Sequence, residues 1–365
     1  MLVMCGSPLT GCLEDFDLSA GRDTGSTPAL ESRSSWVARP DPVLPAGHGR
    51  ERGLWNDPSV LKLGSQYVMY MTSSIDEPFE APIVPFRAVS SDGIDWQLEP
   101  EEPLLHPRGT PFEKIETPSV VRFNGRYHMY YTGIYTPGTV PSMAIGHAVS
   151  TDGIHWEDDK QAVLTATGNV QEWNGYLVAE PGALVRDDLI YVYFTAMGAR
   201  PSGRPPQLQT IGVVTSRDGV NFDEPRMVLE QSPAYPASQG YVGYSTPSAV
   251  VIDGEVHLFH DVARFVENGN PQWQQVAIQH AVSRDGITDF RQDDAPLLVR
   301  KDLHWTSGEI LAPSVLVDGD RLKMWFAGHV TYPELVPFIN RGLRGNEFGI
   351  GYATLDLTSL RATTD

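Results

Sequence analysis

Apolar and polar positions along the chain recur in a unit of about 60–66 residues. Each unit opens on an apolar strand that begins with a proline: Asp57-Pro58-Ser59-Val60, Thr117-Pro118-Ser119-Val120, Glu180-Pro181-Gly182-Ala183, Thr246-Pro247-Ser248-Ala249 and Ala312-Pro313-Ser314-Val315. Polar pairs follow at Asn124-Gly125, Asp187-Asp188, Asp253-Gly254 and Asp318-Gly319. Set between apolar runs, such pairs predict two-residue hairpins. The returning strand is aromatic and apolar: Tyr67–Met71, Tyr127–Tyr131, Tyr191–Thr195, Val256–His260 and Leu322–Phe326. A third strand ends in Ser-x-Asp-Gly and an aromatic, at Ser90–Trp96, Ser150–Trp156 and Ser216–Phe222, with a variant at Ser283–Phe290.

Five copies of a strand-rich unit that cannot bury both faces alone predict an all-β fold, a five-bladed β-propeller. A fourth strand shows as an aromatic followed by an apolar pair, as in Trp96…Leu104-Leu105 and Phe290…Leu297-Leu298. The fifth unit, ending at Tyr352–Leu360, lacks one, and Trp36…Val43-Leu44 supplies it. The N-terminal strand, about residues 36–45, is thereby expected to complete the last blade and close the ring, leaving no open edge. Residues 36–365 form the expected catalytic propeller, and residues 1–35 a tail or tether. In the Ser-x-Asp-Gly turns the Asp caps its own turn and the Gly supplies a positive φ. The Asp boxes of sialidases differ, since they carry an extra residue between Asp and Gly.

In a propeller, strand-one starts and the loops after strand two share one face, around a central funnel. The long segments Met197–Gln209, Val262–Gln275 and Gly328–Asn346 are expected there as irregular loops, where function tends to sit. The copies can be compared with one another. The residue before each proline reads Asp57, Thr117, Glu180, Thr246, Ala312, and the one before that Asn56, Glu116, Ala179, Ser245, Leu311. Small or neutral residues satisfy the fold, so Asp57, Glu116 and Glu180 are departures. Carboxylates gathered in a partly desolvated funnel are costly unless something uses them. Glu116 lies one residue out of step with the others, and strand alternation would turn it away from the axis. At the end of strand two the aligned residues are Thr72, Thr132, Ala196, Asp261 and Ala327, which makes Asp261 the outlier, with His260 beside it. His329 faces the funnel from the fifth unit. A histidine there is either a hydrogen-bonded structural group, a sugar contact, or a ligand of an axial metal ion. His147 and His280 occupy matching third-strand positions and read as structural.

Charge narrows the partners. With 46 acidic against 27 basic residues, the formal net charge is -19, which disfavours nucleic acid and anionic membranes and leaves neutral sugars open. No apolar run is long enough to span a bilayer as a helix. Both cysteines, Cys5 and Cys12, precede the repeats, so the body has no internal disulfide and no cysteine metal site. Leu9-Thr10-Gly11-Cys12 is similar to a bacterial lipoprotein cleavage box. That likeness implies a secreted or cell-envelope location if translation starts upstream of Met1, and a cytoplasmic one otherwise.

Leu54-Trp55-Asn56-Asp57-Pro58 is similar to the invertase and levanase signature Trp-x-Asn-Asp-Pro, and Glu116-Thr117-Pro118 to the acid motif of glycoside hydrolase families 43 and 32. Over roughly residues 36–360 the chain resembles the five-bladed propeller hydrolases of families 43, 32, 62, 68 and 117. Those families keep Asp, Asp and Glu at their blade starts, whereas this chain has Asp, Glu and Glu and lacks the invertase Arg-Asp-Pro, as a divergent branch would. Arg186-Asp187 belongs to a hairpin turn on the far face and is no substitute. The resemblance implies a glycosidase in which one carboxylate stays ionised and another donates a proton to the leaving oxygen. Asp57 is expected to be the ionised partner, Glu180 the acid and Glu116 the second choice.

Trp55, Tyr135 and Trp273 are candidate stacking surfaces or core aromatics, and Asn56, His260, Asp261, Arg264 and His329 candidate sugar contacts. No cofactor is required, and an axial calcium ion is compatible with the family. The expected partner is an oligo- or polysaccharide. The alternatives are a sialidase-like enzyme using Arg200, Arg204, Arg264, Arg341 and Arg344, a phosphorylase with a basic pocket beside Asp57, and a non-catalytic propeller that binds glycan or protein.

Overall fold

The structure, a computed structural model, describes residues 30–32, 35–48, 54–74, 83–136, 138–199, 207–267, 271–329 and 348–364. Cys5, Cys12 and most of the expected tail lie outside them. The described chain is all-β apart from two single-turn 3-10 segments and a short helix at Leu357–Thr364.

Strand β1 (Val37–Ala38) comes first. The strands β2 (Asn56–Leu63), β3 (Gln66–Ser74), β4 (Ile83–Ser90) and β5 (Gln97–Leu98) then form one antiparallel sheet. A second sheet contains β6 (Lys114–Phe123), β7 (Arg126–Ile134), β8 (Met143–Ser150) and β9 (Glu157–Thr165). Nine strands make the third: β10 (Leu177–Arg186), β11 (Leu189–Ala199), β12 (Gln207–Ser216), β13 (Arg226–Leu229), β14 (Tyr241–Ile252), β15 (Glu255–Glu267), β16 (Pro271–Ser283), β17 (Arg291–Gln292) and β18 (Leu298–Val299). Its two halves meet at a single parallel pair, Gln209 opposite Gly243, so each half is a blade-like unit of its own. The last sheet holds β19 (Glu309–Asp318), β20 (Arg321–His329) and β21 (Gly349–Asp356), and β1 pairs with its outer strand, Val37 opposite Thr354.

The first strands β2, β6, β10, β14 and β19 lie next to one another, and β19 also touches β2. Together they line a cavity of about 340 Å³. Serine hydroxyls stitch them. Ser59 accepts the Val120 N–H at 3.0 Å, Ser119 the Ala183 N–H at 2.8 Å, Ser248 the Val315 N–H at 3.1 Å, and Ser314 the Val60 N–H at 2.9 Å. Gly182 takes the serine's place once, because a Cβ there would come within 1.9 Å of the Pro247 carbonyl oxygen.

The Ser-x-Asp-Gly turns behave as expected. Asp92, Asp152, Asp218 and Asp285 each accept two backbone N–H groups of their own turn. The turns also fasten neighbouring sheets, through donation by Tyr70 to the Gly153 carbonyl (3.1 Å), Tyr130 to Gly219 (2.8 Å), Tyr193 to Gly286 (2.7 Å) and Trp325 to Gly93 (2.8 Å). Phe259 holds the matching place in the remaining sheet and meets the N-terminal Trp36 edge-on at 6.2 Å.

Two expected loops differ. Val262–Gln275 is largely strand, since β15 and β16 stay paired out to Glu267 and Pro271, and the Met197–Gln209 segment extends β11 to Ala199 and begins β12 at Gln207. Paired backbone satisfies its own polar groups, which an irregular excursion of that length would leave to water. Most of Gly328–Asn346 lies outside the described residues.

Replacing Ser314 with alanine would strand the Val60 N–H, a group buried between first strands. We expect a loss of about 1–3 kcal/mol in denaturant unfolding. Alanine at the exposed Ser91 serves as the neutral control.

Candidate active site

The same local distortion occurs at the head of every first strand. Pairing with the second strand slips between Asn56 and Ser59, Glu116 and Ser119, Ala179 and Gly182, Ser245 and Ser248, and Leu311 and Ser314. At each bulge the residue before proline takes a left-handed backbone: Asp57 (φ 50), Thr117 (52), Glu180 (53), Thr246 (44) and Ala312 (51). That conformation is strained for residues other than glycine. Five occurrences, one of them alanine, make it a property of the scaffold, and it re-aims the side chains at the bulge.

A threonine of the preceding sheet holds the bulge in place. Thr72 accepts the Thr117 N–H at 2.8 Å, Thr132 the Glu180 N–H at 2.7 Å, and Thr195 the Thr246 N–H at 3.0 Å. The register corrects one alignment made from sequence. Thr195, opposite Ala179, is the counterpart of Thr72 and Thr132, and Ala196 is not. The counterpart of Tyr67 and Tyr127 in this unit is Ile190, opposite Val185, and not the aromatic Tyr191, which moves the match by one. Asp261, opposite Ser245, is the next counterpart, and the Ala312 N–H is shared between Thr246 Oγ1 at 3.2 Å and the Asp261 carboxylate at 3.4 Å.

The bulge resolves the doubt over Glu116. Strand alternation is broken at that point, and Glu116 lies where the charges of Asp57 and Glu180 both act on it. Asp57, Glu116 and Glu180 are all buried, at 2%, 2% and 1% exposure. Burial and the two neighbouring carboxylates push the Glu116 carboxyl up to about 8. Asp261, completely buried, is raised to about 7 by burial and by Glu180, against hydroxyl hydrogen bonds from Ser245 and Thr246 that favour its charged form. The Thr246 N–H also reaches Glu180 Oε2 at 3.3 Å. Four carboxyl groups thus lie near one another at the heads of the first strands and the end of β15. Beside them Asn56 Oδ1 and Thr117 Oγ1 are buried without a hydrogen-bond partner, as groups awaiting a hydroxylated ligand would be.

Other candidates are placed differently. Trp55 is fully buried in the core, edge-on to Phe86 at 5.9 Å, and is no stacking platform. Tyr135 is part-buried against Phe112, with 5.1 Å between ring centroids. The side chain of Trp273 lies outside the described residues. His260 turns away from Asp261, because adjacent strand residues face opposite sides. Its Nδ1–H donates to the Asp261 carbonyl (3.0 Å), its Nε2 accepts from Gln292 (3.3 Å), and Tyr244 donates to Gln292 and covers the ring at 4.5 Å. Burial lowers it to about 4, so it stays neutral and structural. His329 bonds Glu309 at 2.8 Å against Phe348. Arg264 donates to the Gln239 carbonyl and lies over Tyr241, while Arg200, Arg204, Arg341 and Arg344 fall outside the described residues. His147 and His280 sit in matching buried chains, His128–His147–Asp159 and His257–His280–Asp293, as their repeat positions suggested. Among the described residues, no three or more His, Cys, Asp or Glu side chains are grouped to hold a metal ion.

Gln209 is the residue that sequence reasoning missed. It is completely buried and neither amide heteroatom has a hydrogen-bond partner. By register its counterparts at the start of the third strands are Ile83, Met143 and Gln275, so two units place a buried glutamine there.

Comparison with known proteins fits this rim. Residues 116–240, from Glu116 past Glu180, match the model of the glycosyl hydrolases family 32 N-terminal domain. Raffinose invertase of Escherichia coli is 29% identical over 113 residues, a match covering 30% of this chain and 23% of the invertase. In three dimensions the chain is similar to a thermostable family 43 glycoside hydrolase, with a TM-score of 0.63, 18% identity, and coverage of 82% of this chain and 89% of the other. It also resembles the catalytic domain of the Coprinopsis cinerea family 62 α-L-arabinofuranosidase, with a TM-score of 0.58, 12% identity, and coverage of 88% and 96%. The proteins that the chain resembles in these comparisons are glycoside hydrolases. Their fold is the propeller, and this chain's blade-like sheets share it.

The raised carboxyls give a signed prediction. Glu116 and Asp261 hold protons in the folded state at pH values where the unfolded chain has released them. Their contribution to stability is therefore full at low pH and lost as pH climbs toward about 7 and 8. Thermal unfolding midpoints should fall from about pH 5 to about pH 8, and Glu116→Gln should flatten that decline.

Proposed function

We propose that the protein is a glycosidase acting on an oligo- or polysaccharide through carboxylates at the mouth of a five-bladed ring closed by the N-terminal strand. The observation that carries this reading is the burial of Asp57, Glu116 and Glu180 at equivalent bulges, close enough for the first and third to act on the second. Asp57 and Glu180 share the left-handed position on β2 and β10, so their side chains leave the scaffold alike and flank the space before Glu116.

In this reading Asp57 is the ionised partner, serving as nucleophile or as base for water, and Glu180 gives its proton to the leaving oxygen. Glu116, neutral through most of the physiological range, keeps a third negative charge out of the rim and holds a proton in reserve. Asn56, Thr117 and Gln209 offer buried polar atoms for sugar hydroxyls. The mechanism calls for no cofactor. The sugars bound by structural relatives, xylotriose with the family 43 enzyme of Xanthomonas citri among them, favour neutral plant-type sugars as the first substrates to try.

A panel of aryl glycosides and glycans should yield one class that the wild type cleaves. Asp57→Ala and Glu180→Gln should each lower kcat/KM about 10²–10⁴-fold, the Glu180→Gln loss shrinking on substrates with good leaving groups, and Glu116→Gln should lose less than either. Equal trace release from all four proteins would overturn the proposal, and retained glycan binding in that case would identify a binding propeller.

A further inference from the structure

Arg300 is a departure from the repeat that the carboxylate site does not use. The fourth strands can be aligned through the N–H groups they give to the third: Leu104 to the Pro85 carbonyl, Leu297 to Ile278 and Val43 to Ile350, each on the residue opposite the latch position. Three residues further on, the sister copies have Pro107 and Ala46, and this one has Arg300. The scaffold therefore needs no charge there.

Arg300 is partly buried, and among the described residues it has no carboxylate partner. Its Nη1 donates to Gln274 Oε1 at 2.6 Å and to the Gly308 carbonyl at 3.2 Å, both neutral. Gln274 lies directly opposite Arg264 in the sheet, and the Arg264 guanidinium lies over the Tyr241 ring. A second guanidinium is thereby placed near the first. Burial lowers the pKa of Arg300, the Arg264 charge lowers it further, and Glu309 opposes them. Glu309 turns its oxygens to the Gln275 N–H at 3.3 Å and to His329 at 2.8 Å. Like charges gathered in a half-buried place cost free energy until an anion joins them. The guanidinium fork matches the paired oxygens of a carboxylate or a sulfate.

The two arginines lie at the same end of the strands as the carboxylates. Arg264 follows Asp261 by three residues on β15, about 10 Å of extended chain. Gly308 immediately precedes β19, the strand whose bulge carries Ala312. We propose that Arg300, with Arg264 beside it, forms an oxyanion subsite next to the carboxylate rim, and that the glycan cleaved carries an acidic group, a uronate carboxylate or a sulfate ester, beyond the scissile bond. This rests on the reading of the rim as a glycosidase site. A neutral unit at the scissile bond suits the carboxylates, and the acidic group sits farther out. With a net charge of -19 the protein repels anions at long range, so capture depends on contact with this pair.

Binding is tested without turnover by titrating glucuronate and glucose 6-sulfate, with glucose as control, into the whole protein at constant ionic strength. The arginine Nε–Hε signals report the response. We expect the acids, and not glucose, to move the Arg300 signal saturably, the tighter of the two naming the group. Arg300→Gln should weaken that binding at least about tenfold, read on the Arg264 signal, and Arg300→Lys should retain part of it. For turnover, an acidic glycan is compared with the same glycan after its carboxyl groups are reduced or its sulfates removed. Arg300→Gln should lower kcat/KM at least about tenfold on the acidic form and keep the neutral form within about twofold. No saturable response at Arg300, an equal response to glucose, or an equal loss on both forms overturns the proposal. If Arg300→Gln fails to fold, Arg300→Lys carries the comparison, and loss of the fold in both makes Arg300 a structural group and overturns the proposal too. Anion binding at Arg300 in a protein that cleaves no glycan would leave the subsite standing while sinking the hydrolase reading. Cleavage of neutral glycans alone, with Arg300 silent, would do the reverse.

Discussion

The arrangement of the site depends on one hydrogen bond repeated around the rim, from the backbone N–H of a left-handed residue to a threonine oxygen of the preceding sheet. A left-handed threonine or glutamate is strained by itself, and the bond to a neighbour makes the strain tolerable. Because the donor belongs to one sheet and the acceptor to another, the contact also sets the spacing between sheets. The serine ladder just below it repeats the same logic. Functional side chains placed on such bulges inherit a position fixed from two sides, which suits groups that must be held within a fraction of an ångström.

Charge at that rim is arranged by subtraction. Water is kept from the four carboxyls, and the described residues around them offer mainly hydroxyls and backbone N–H groups. Under those conditions not all of them can be ionised together, and protons distribute themselves by neighbourhood. Burial and its two neighbouring carboxylates raise Glu116, and burial and the Glu180 charge raise Asp261 against the hydroxyl donors of Ser245 and Thr246.

The repeat made much of this legible in advance. Hairpin pairs such as Asn124-Gly125 report backbone geometry directly, since both residues take positive φ. Asp57, Glu116 and Glu180 stood out because four sister copies showed what the scaffold tolerates at the same place. The misplaced details have separate causes. Ala196 was aligned in place of Thr195 because the aromatic Tyr191 was matched with Tyr67 and Tyr127, whose counterpart is Ile190, and Glu116 looked misdirected because a bulge breaks strand alternation there. Trp55 and His260 sat beside chemically telling residues and took their promise from that neighbourhood, yet strand alternation sends adjacent side chains to opposite faces. Gln209 was overlooked because third strands were compared only at their Ser-x-Asp-Gly ends.

Sequence and structure carry unequal parts of the kinship. The family 32 model matches residues 116–240, the stretch containing Glu116 and Glu180, whereas the likeness in fold to the family 43 hydrolase covers 82% of the chain. A scaffold can keep its shape through many substitutions provided small residues remain at the bulges and hydroxyls at the latches, a demand that constrains residue size and hydrogen bonding more than identity. Chemistry is less forgiving, since a carboxylate moved by one residue changes which groups it faces. The Asp, Glu, Glu order at these strand heads, with an aspartate in a threonine's place at the fourth latch, therefore sets which carboxyl groups face one another on this frame. Glu116, one residue out of step with Asp57 and Glu180, still reaches them, because the bulge that holds the frame together also turns its side chain inward.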